Sequence, residues 1–250
     1  MPKKYALIGY TGFIGSNLLN YKKKIDKYNS KNITKISKKK YDLVICAGTY
    51  SKIWLARRYP LKDQMNIKKL VSSLKNLMTK KFILISTCEV YGKSSKTFEN
   101  QKLKNFRLNN YGKNRLYLED FCKKKFENLH IIRLPIVYGN NFKKNFIYDL
   151  CYNNDISKLN GKDIIQIYNV KNLKKDINFV IKNRLKELNI SSPPLTMNYI
   201  ARKYFKIDLT SKIRKRCMNM KSFFAKSGSY FYSKNKTEKD FKNFLTKIKI

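Results

Sequence analysis

A doubly wound, parallel α/β sheet is the architecture written into this sequence. Short apolar runs alternate with longer helical stretches over the first 140 residues. Two of those runs, 42–46 (Asp42-Leu43-Val44-Ile45-Cys46) and 81–86 (Lys81-Phe82-Ile83-Leu84-Ile85-Ser86), are almost continuously apolar, as strands covered on both faces by crossover helices must be. The first run, Tyr5-Ala6-Leu7-Ile8, leads straight into a glycine-spaced turn, Gly9-x-x-Gly12-x-x-Gly15.

Each element follows from local chemistry. Gly9 permits a sharp turn, Gly12 lets the backbone approach a pyrophosphate, and Gly15 lets the next helix pack on the strand. The spacing predicts that helix over 13–22, with the N–H groups and partial positive charge of its first turn offered to phosphates. A strand, a glycine turn and a helix in that order build a dinucleotide-binding crevice. A weak strand follows at 25–28. Helical spacing of Leu61, Met65, Leu70, Leu74 and Leu77 after Pro60 predicts a helix over 61–78. Further helices are expected at 112–127 and 142–153, flanking a strand at 129–134. Beyond Gly139 come a helix near 170–184 (Leu173, Ile177, Val180), a short strand at Leu188-Asn189-Ile190, a helix over 196–205 and a terminal amphipathic helix carrying Phe241, Phe244, Leu245 and Ile248. The organisation expected is a dinucleotide-binding part, 1–140, whose sheet later strands near 165–190 are free to complete. A small part, 141–250, packs on it, with the ligand between them above the carboxyl ends of the strands.

Composition narrows the function. The net charge is +40, but the lysines are spread over nearly every segment rather than clustered. They read as solvated faces that favour anionic substrates, not as a specific nucleic-acid surface. His130 is the only histidine, which excludes a histidine triad and a multi-histidine metal site, and no metal is expected. The five cysteines (46, 88, 122, 151, 217) form no C-x-x-C pair and read as reduced, mostly buried thiols. No apolar run approaches the ~18–20 residues of a membrane span. The opening Met1–Tyr10 is too short an apolar stretch for a secretory signal, so a cytoplasmic protein is expected.

Three more segments fall at carboxyl ends of predicted strands: Ser86-Thr87-Cys88-Glu89-Val90-Tyr91-Gly92, Tyr111-Gly112-Lys113-Asn114-Arg115, and Arg133-Leu134-Pro135-Ile136-Val137-Tyr138-Gly139. With the glycine turn and Val44-Ile45-Cys46-Ala47-Gly48, this set resembles the extended short-chain dehydrogenase/reductases, in their NAD-dependent sugar-nucleotide epimerase/dehydratase branch, over residues 4–140. The resemblance implies a Rossmann-like sheet with a small C-terminal α+β substrate-binding part, a nicotinamide cofactor and a nucleotide-sugar substrate. It also implies a place in surface-polysaccharide synthesis, and it leaves homodimerisation open. The cofactor would lie on Gly9, Thr11, Gly12, Phe13, Ile14 and Gly15, on Asn29, Ser30 and Lys31, on Ala47 and Gly48 (with Thr49 and Tyr50 bordering), and on Asn66, Ser86, Tyr111, Arg115 and Pro135. NADP is slightly favoured over NAD, because Tyr28-Asn29-Ser30-Lys31 offers no terminal acid for the ribose and Asp26 lies two residues early.

The chemistry expected of Tyr111 is proton transfer. A phenol titrates near 10, so a cation must stabilise its phenolate, and position i+4 lies on the same helix face. Here that residue is Arg115, where the family has lysine; it keeps the charge, cannot lose a proton, and is bulkier. Lys113 at i+2 points away. Thr87 takes the place of the residue that hydrogen-bonds the reacting oxygen. The dehydratases of this family follow it with Asp-Glu, whereas this chain has Cys88-Glu89. Glu89 remains a candidate base, but the acid is missing, which favours hydride transfer by a reductase or 4-epimerase over elimination. The alternative is an NAD(P)-binding sensor or scaffold of the same fold with impaired catalysis.

Overall fold

The computed structural model describes residues 2–50, 53–92, 97–103, 108–210, 213, 216–225 and 228–248, leaving aside the side chains of residues 55 and 57. In chain order the elements are β1 (Tyr5–Ile8), α1 (Phe13–Ser16), β2 (Asp26–Tyr28), β3 (Lys40–Tyr41), β4 (Leu43–Cys46), α2 (Ile53–Arg58), α3 (Pro60–Leu74), β5 (Met78–Thr79), β6 (Phe82–Thr87), α4 (Asn110–Lys125) and β7 (Leu129–Leu134). There follow β8 (Ile136–Tyr138), α5 (Phe146–Cys151), β9 (Ile164–Ile165), β10 (Ile167–Asn169), α6 (Leu173–Lys182), β11 (Glu187–Asn189), β12 (Leu195–Thr196), α7 (Met197–Ile200) and α8 (Lys234–Leu245). The chain divides into two compact units: Met1–Gly92 with Lys102–Arg133 and Asn172–Leu188, and Lys93–Gln101 with Leu134–Lys171 and Asn189–Ile250.

The first unit is built on a six-stranded parallel sheet in the order β11-β7-β6-β4-β1-β2. From β1 the chain moves to β2 on one side and then crosses back to β4 on the other. The carboxyl ends of β1 and β4 are therefore the switch point at which open α/β sheets leave a crevice. Register places Ile8 beside Cys46 and Cys46 beside Leu84, so the chains leaving these strands emerge side by side. One sheet face buries Ala6, Ile8, Val44, Cys46, Phe82 and Leu84 in one core with Leu70, Val71 and Leu74 of α3 and Leu118 and Cys122 of α4. The alternate residues Leu7, Ile45 and Ile83 are equally buried, which is why these strands read as unbroken apolar runs.

In the first unit, two helices differ from expectation. The helix expected over 13–22 stops at Ser16, because the Ser16 hydroxyl (3.0 Å) and Asn17 Nδ2 (2.8 Å) both donate to Phe13 O and compete for the carbonyl that helix continuation needs. α3 ends at Leu74, and Met78–Thr79 pairs in parallel with Lys40–Tyr41. Its apolar residues do not form one stripe: Leu61 and Met65 face solvent (73% and 68% exposed), while Asp63, Ile67, Leu70, Val71 and Leu74 point inward.

In the second unit β8 pairs in parallel with β10, and β9 in antiparallel with β12. The ring of Tyr138 packs on Phe241 and Phe244 of α8. Glu99, buried, accepts from Asn189 N (2.9 Å), Ser222 Oγ (2.5 Å) and Phe223 N (3.1 Å). The helix expected over 196–205 is α7 followed by a π-helical turn, Ala201–Phe205. Residues 211, 212, 214 and 215, in a basic stretch of the sequence, lie outside the described residues.

His130 proves to be a core residue of β7. Its Nδ1–H donates to Leu185 O (2.6 Å), and Nε2 is buried with no partner among the described residues. A proton on Nε2 would have no acceptor, and burial holds the imidazole below its ordinary value. With the native value depressed, the unfolded chain binds the extra proton first, so stability is complete above about pH 6.5 and falls as pH drops below it. Thermal melting is expected to show Tm decreasing from pH 7 to pH 5, and His130→Asn to flatten that dependence. An unchanged slope in the variant would remove His130 as its source.

Candidate active site at the carboxyl ends of the strands

Backbone hydrogen bonds anchor the turn after β1. Gly9 N donates to Tyr28 O (2.7 Å), Ala47 N to Ile8 O (2.9 Å), and Gly12 N to Gly9 O (3.0 Å). Gly9 has φ +86°, and a Cβ there would lie 2.3 Å from Ala47 O. A Cβ on Gly15 would lie 2.0 Å from Gly9 O, and one on Gly48 2.8 Å from Ile8 Cγ2. These three glycines are demanded by the protein's own packing. Gly12 is different. It is exposed, and a Cβ there would meet only Gly9 O at 3.4 Å, an ordinary contact. Among the described residues, no neighbouring atom requires glycine at 12. Thr11 is exposed beside it, and Phe13 and Ile14 are half-buried.

At the end of β2, Asn29 Nδ2 donates to the Tyr10 hydroxyl (3.3 Å) and Asn29 Oδ1 accepts from Lys31 N (2.9 Å). Ser30 and Lys31 are exposed, and Lys69 Nζ reaches Ser30 O at 3.0 Å. Asp26 is occupied elsewhere, accepting from the Tyr41 hydroxyl at 2.7 Å.

β6 ends at Thr87, whose Oγ1 accepts from Glu89 N (3.2 Å) and caps the helical turn Cys88–Tyr91. The Thr87 hydroxyl also carries a proton that it can donate. α4 begins one residue before Tyr111, with Asn109 Oδ1 accepting from Gly112 N (2.9 Å). A Cβ on Gly112 would lie 2.6 Å from Glu89 O, so glycine brings the start of α4 directly against the Thr87–Glu89 turn. Thr87, Glu89 and Tyr111 thus lie on touching segments.

Arg115 lies one helical turn from Tyr111, with Cζ 4.0 Å from the ring centroid. Its guanidinium is buried and committed: Nη1 and Nη2 bind Asp63 Oδ2 and Oδ1 at 2.9 and 3.0 Å, and Nη2 also donates to Tyr50 O at 2.5 Å. Asn114 Nδ2 donates to the same Asp63 carboxylate at 2.7 Å. Burial pushes the Tyr111 phenol above its ordinary value; Arg115 opposes this by charge and hydrogen bonding, and Glu89 and Cys88 add to it. Asp63 was invisible to motif reading. The signal for it is an acid in line with Ile67, Leu70 and Leu74 on the buried face of α3. Asn66, half-buried, stands one turn along the same helix.

Ser86 and Arg133 belong to a buried ionic network. Ser86 Oγ donates to Glu119 Oε1 (2.5 Å), and Arg133 Nε and Nη2 bind Glu119 at 3.1 and 2.7 Å. Arg133 also binds Glu187 (2.7 Å) and the Tyr91 hydroxyl (2.8 Å). This network pins β7, α4 and the Cys88–Tyr91 turn to one another. Pro135 lies just after Arg133, in the second unit.

The spacing of Tyr111 and Arg115 recurs at Tyr199 and Lys203 in the second unit, beside a groove of about 570 Å³. There Lys203 Nζ donates to the Tyr199 hydroxyl (2.8 Å) and to Glu238 (2.9 Å). That cation is already paired with an acid. No group of metal-ligating residues is present among the described residues, and no helix among them is long and apolar enough to cross a membrane.

Residues 21–180 match the model of the NAD dependent epimerase/dehydratase family. Among solved structures, the chain is similar to dTDP-4-dehydrorhamnose reductase from Bacillus anthracis in complex with NADP, with TM-score 0.73 and 15% identity over 99% of this chain and 100% of that one. It is similar to an NAD-dependent NDP-hexosamine 5,6-dehydratase involved in tunicamycin biosynthesis (TM-score 0.73, 14% identity, 98% and 97% covered). It is also similar to UDP-glucose 4-epimerase from Thermotoga maritima with UDP-glucose (TM-score 0.63, 15% identity, 85% and 86% covered). No curated protein matches it by sequence.

Proposed function

The chain belongs to the NAD dependent epimerase/dehydratase family, and from that premise we propose that it is an NAD(P)-dependent oxidoreductase acting on a nucleotide-linked sugar. A reductase or 4-epimerase is favoured over a 4,6-dehydratase. What carries the reading is the abutment of two segments: Tyr111 at the start of α4 and the Thr87–Glu89 turn at the end of β6, which meet through Gly112.

The bare backbone at Gly12 fits a dinucleotide pyrophosphate, and it supports assigning the turn Gly9–Gly15 to that role. Ala47, Gly48 and Asn66 would border the same cofactor. The exposed Ser30, Lys31 and Lys69, with Asp26 turned to Tyr41, support NADP over NAD. The nicotinamide, when bound, supplies or accepts the hydride. Thr87 orients the sugar oxygen by donating its hydroxyl proton to it. Tyr111 gives its proton to that oxygen, or takes it back in the reverse direction. Elimination is disfavoured because the residue after Thr87 is Cys88, a poor proton donor to a leaving hydroxyl. The second unit, which carries no motif tied to a particular sugar, is assigned the substrate role.

The reading is tested at 340 nm with nucleotide-linked 4-keto sugars. A reductase consumes NADPH stoichiometrically with the sugar, and an epimerase interconverts sugars while retaining its nucleotide. Cofactor binding without either activity would favour the other reading, a sensor or scaffold, to which arginine at 115 in place of the family's lysine lends its own support.

A further inference from the structure

We propose that Asp63 is a positioning residue that locks Arg115 against Tyr111 and cancels its charge, so that the phenol is kept protonated and serves as a proton donor. This deepens the proposed reaction and rests on it: the direction favoured is reduction of a nucleotide-linked ketone by a nicotinamide dinucleotide.

The geometry is specific. The Asp63–Arg115 pair is buried on both sides (6% and 2% exposed) and bidentate, and it bridges α3 to α4. Tyr50 O and Asn114 Nδ2 complete the pair, so neither ion has freedom to swing toward another partner. Arg115 Nε is buried with no partner among the described residues, so the guanidinium is held by its two outer nitrogens alone. A lone guanidinium 4.0 Å above a phenol ring would favour the phenolate, but one matched by a buried carboxylate contributes far less. The other groups near the phenol push the same way. Glu89 and Cys88, on the turn packed against the start of α4, oppose its ionisation, and burial adds to them. On α2, Arg58 lies over Tyr59, and on α4 itself Glu119 is paired with Arg133.

In the reduction, the Tyr111 O–H bond breaks, its proton passes to the carbonyl oxygen, and the carbonyl carbon receives the hydride of the reduced nicotinamide. A phenol kept neutral needs no cation to make it a donor. That explains how arginine tied to an acid serves where a mobile lysine is the family's habit.

The test reads Tyr111 without relying on turnover. Tyrosinate absorbance near 295 nm is titrated for each protein against its own Tyr111→Phe partner, and the difference isolates this one phenol. In Asp63→Asn the onset of ionisation is expected about 1–2 pH units lower than in the wild type, as for a phenol beside an unmatched cation. Asp63→Glu is expected to restore part of the shift. The double variant Asp63→Asn/Arg115→Gln, which leaves no buried charge unpaired, is expected within about half a unit of wild type. An unchanged onset in Asp63→Asn would overturn the proposal, as would a rise of about a unit or more in the double variant. Should the shifts appear while the wild type reduces no keto sugar, the charge cancellation stands and the proposed reaction falls.

Discussion

Gly12→Ala is expected to leave the protein folded with an unchanged Tm and to weaken NADPH binding by about 10–100-fold. The added methyl meets only Gly9 O, at 3.4 Å, so nothing within the chain must shift to admit it. A ligand backed onto that turn would meet it directly, and forcing one extra methyl into a close contact costs ~1–3 kcal/mol, which is about 10–100-fold in affinity. Gly15→Ala is the contrast, because its methyl would sit 2.0 Å from Gly9 O and the turn itself must break. Fluorescence titration of NADPH, paired with thermal melting, separates the two. A Gly12→Ala protein that binds the cofactor as tightly as wild type would remove the turn from the cofactor site.

Tyr111→Phe is expected to lower kcat by roughly 10²–10⁴-fold, the range for loss of a general acid, with cofactor affinity retained. The ring keeps its place under Arg115, since the contact is with the aromatic face rather than the oxygen alone. Only the proton is lost. Because the phenol lies above its ordinary value near 10, wild-type reduction is expected to persist to high pH and fade only as the phenol ionises. Steady-state rates across pH 6–11 check both statements. Turnover in Tyr111→Phe equal to wild type would assign the proton to another group.

The sheet was legible because its strands are buried on both faces: 42–46 and 81–86 announce themselves with unbroken apolar runs, and Leu43–Cys46 and Phe82–Thr87 are where the strands lie. The glycine turn was legible for a related reason, since Gly9 and Gly15 are forced by backbone contacts under 3 Å. Helix ends were harder to read. α1 stops at Ser16 because two side chains capture Phe13 O, a competition that periodicity does not register. Of the five leucine and methionine positions that predicted α3, Leu77 falls beyond its end at Leu74, and Leu61 and Met65 lie opposite the Asp63–Leu74 stripe. At the candidate site the motif residues Thr87 and Tyr111 could be found from spacing. Their partners could not: Asp63 is 52 positions from Arg115, and only the packing of α3 on α4 joins them. The partner of the Ser86 hydroxyl was equally hidden, since Glu119 lies 33 positions further along the chain.

The most direct measurement follows the hydrogen itself. NADPH carrying deuterium at both C4 positions of the nicotinamide is incubated with the protein and a nucleotide-linked 4-keto sugar, and the product is weighed by mass spectrometry. The account predicts one deuterium on the sugar carbon in the wild type, and a large loss of that transfer in Tyr111→Phe. A reduced sugar that carries no deuterium would contradict it, as would cofactor bound beside Tyr111 that transfers nothing to any such ketone.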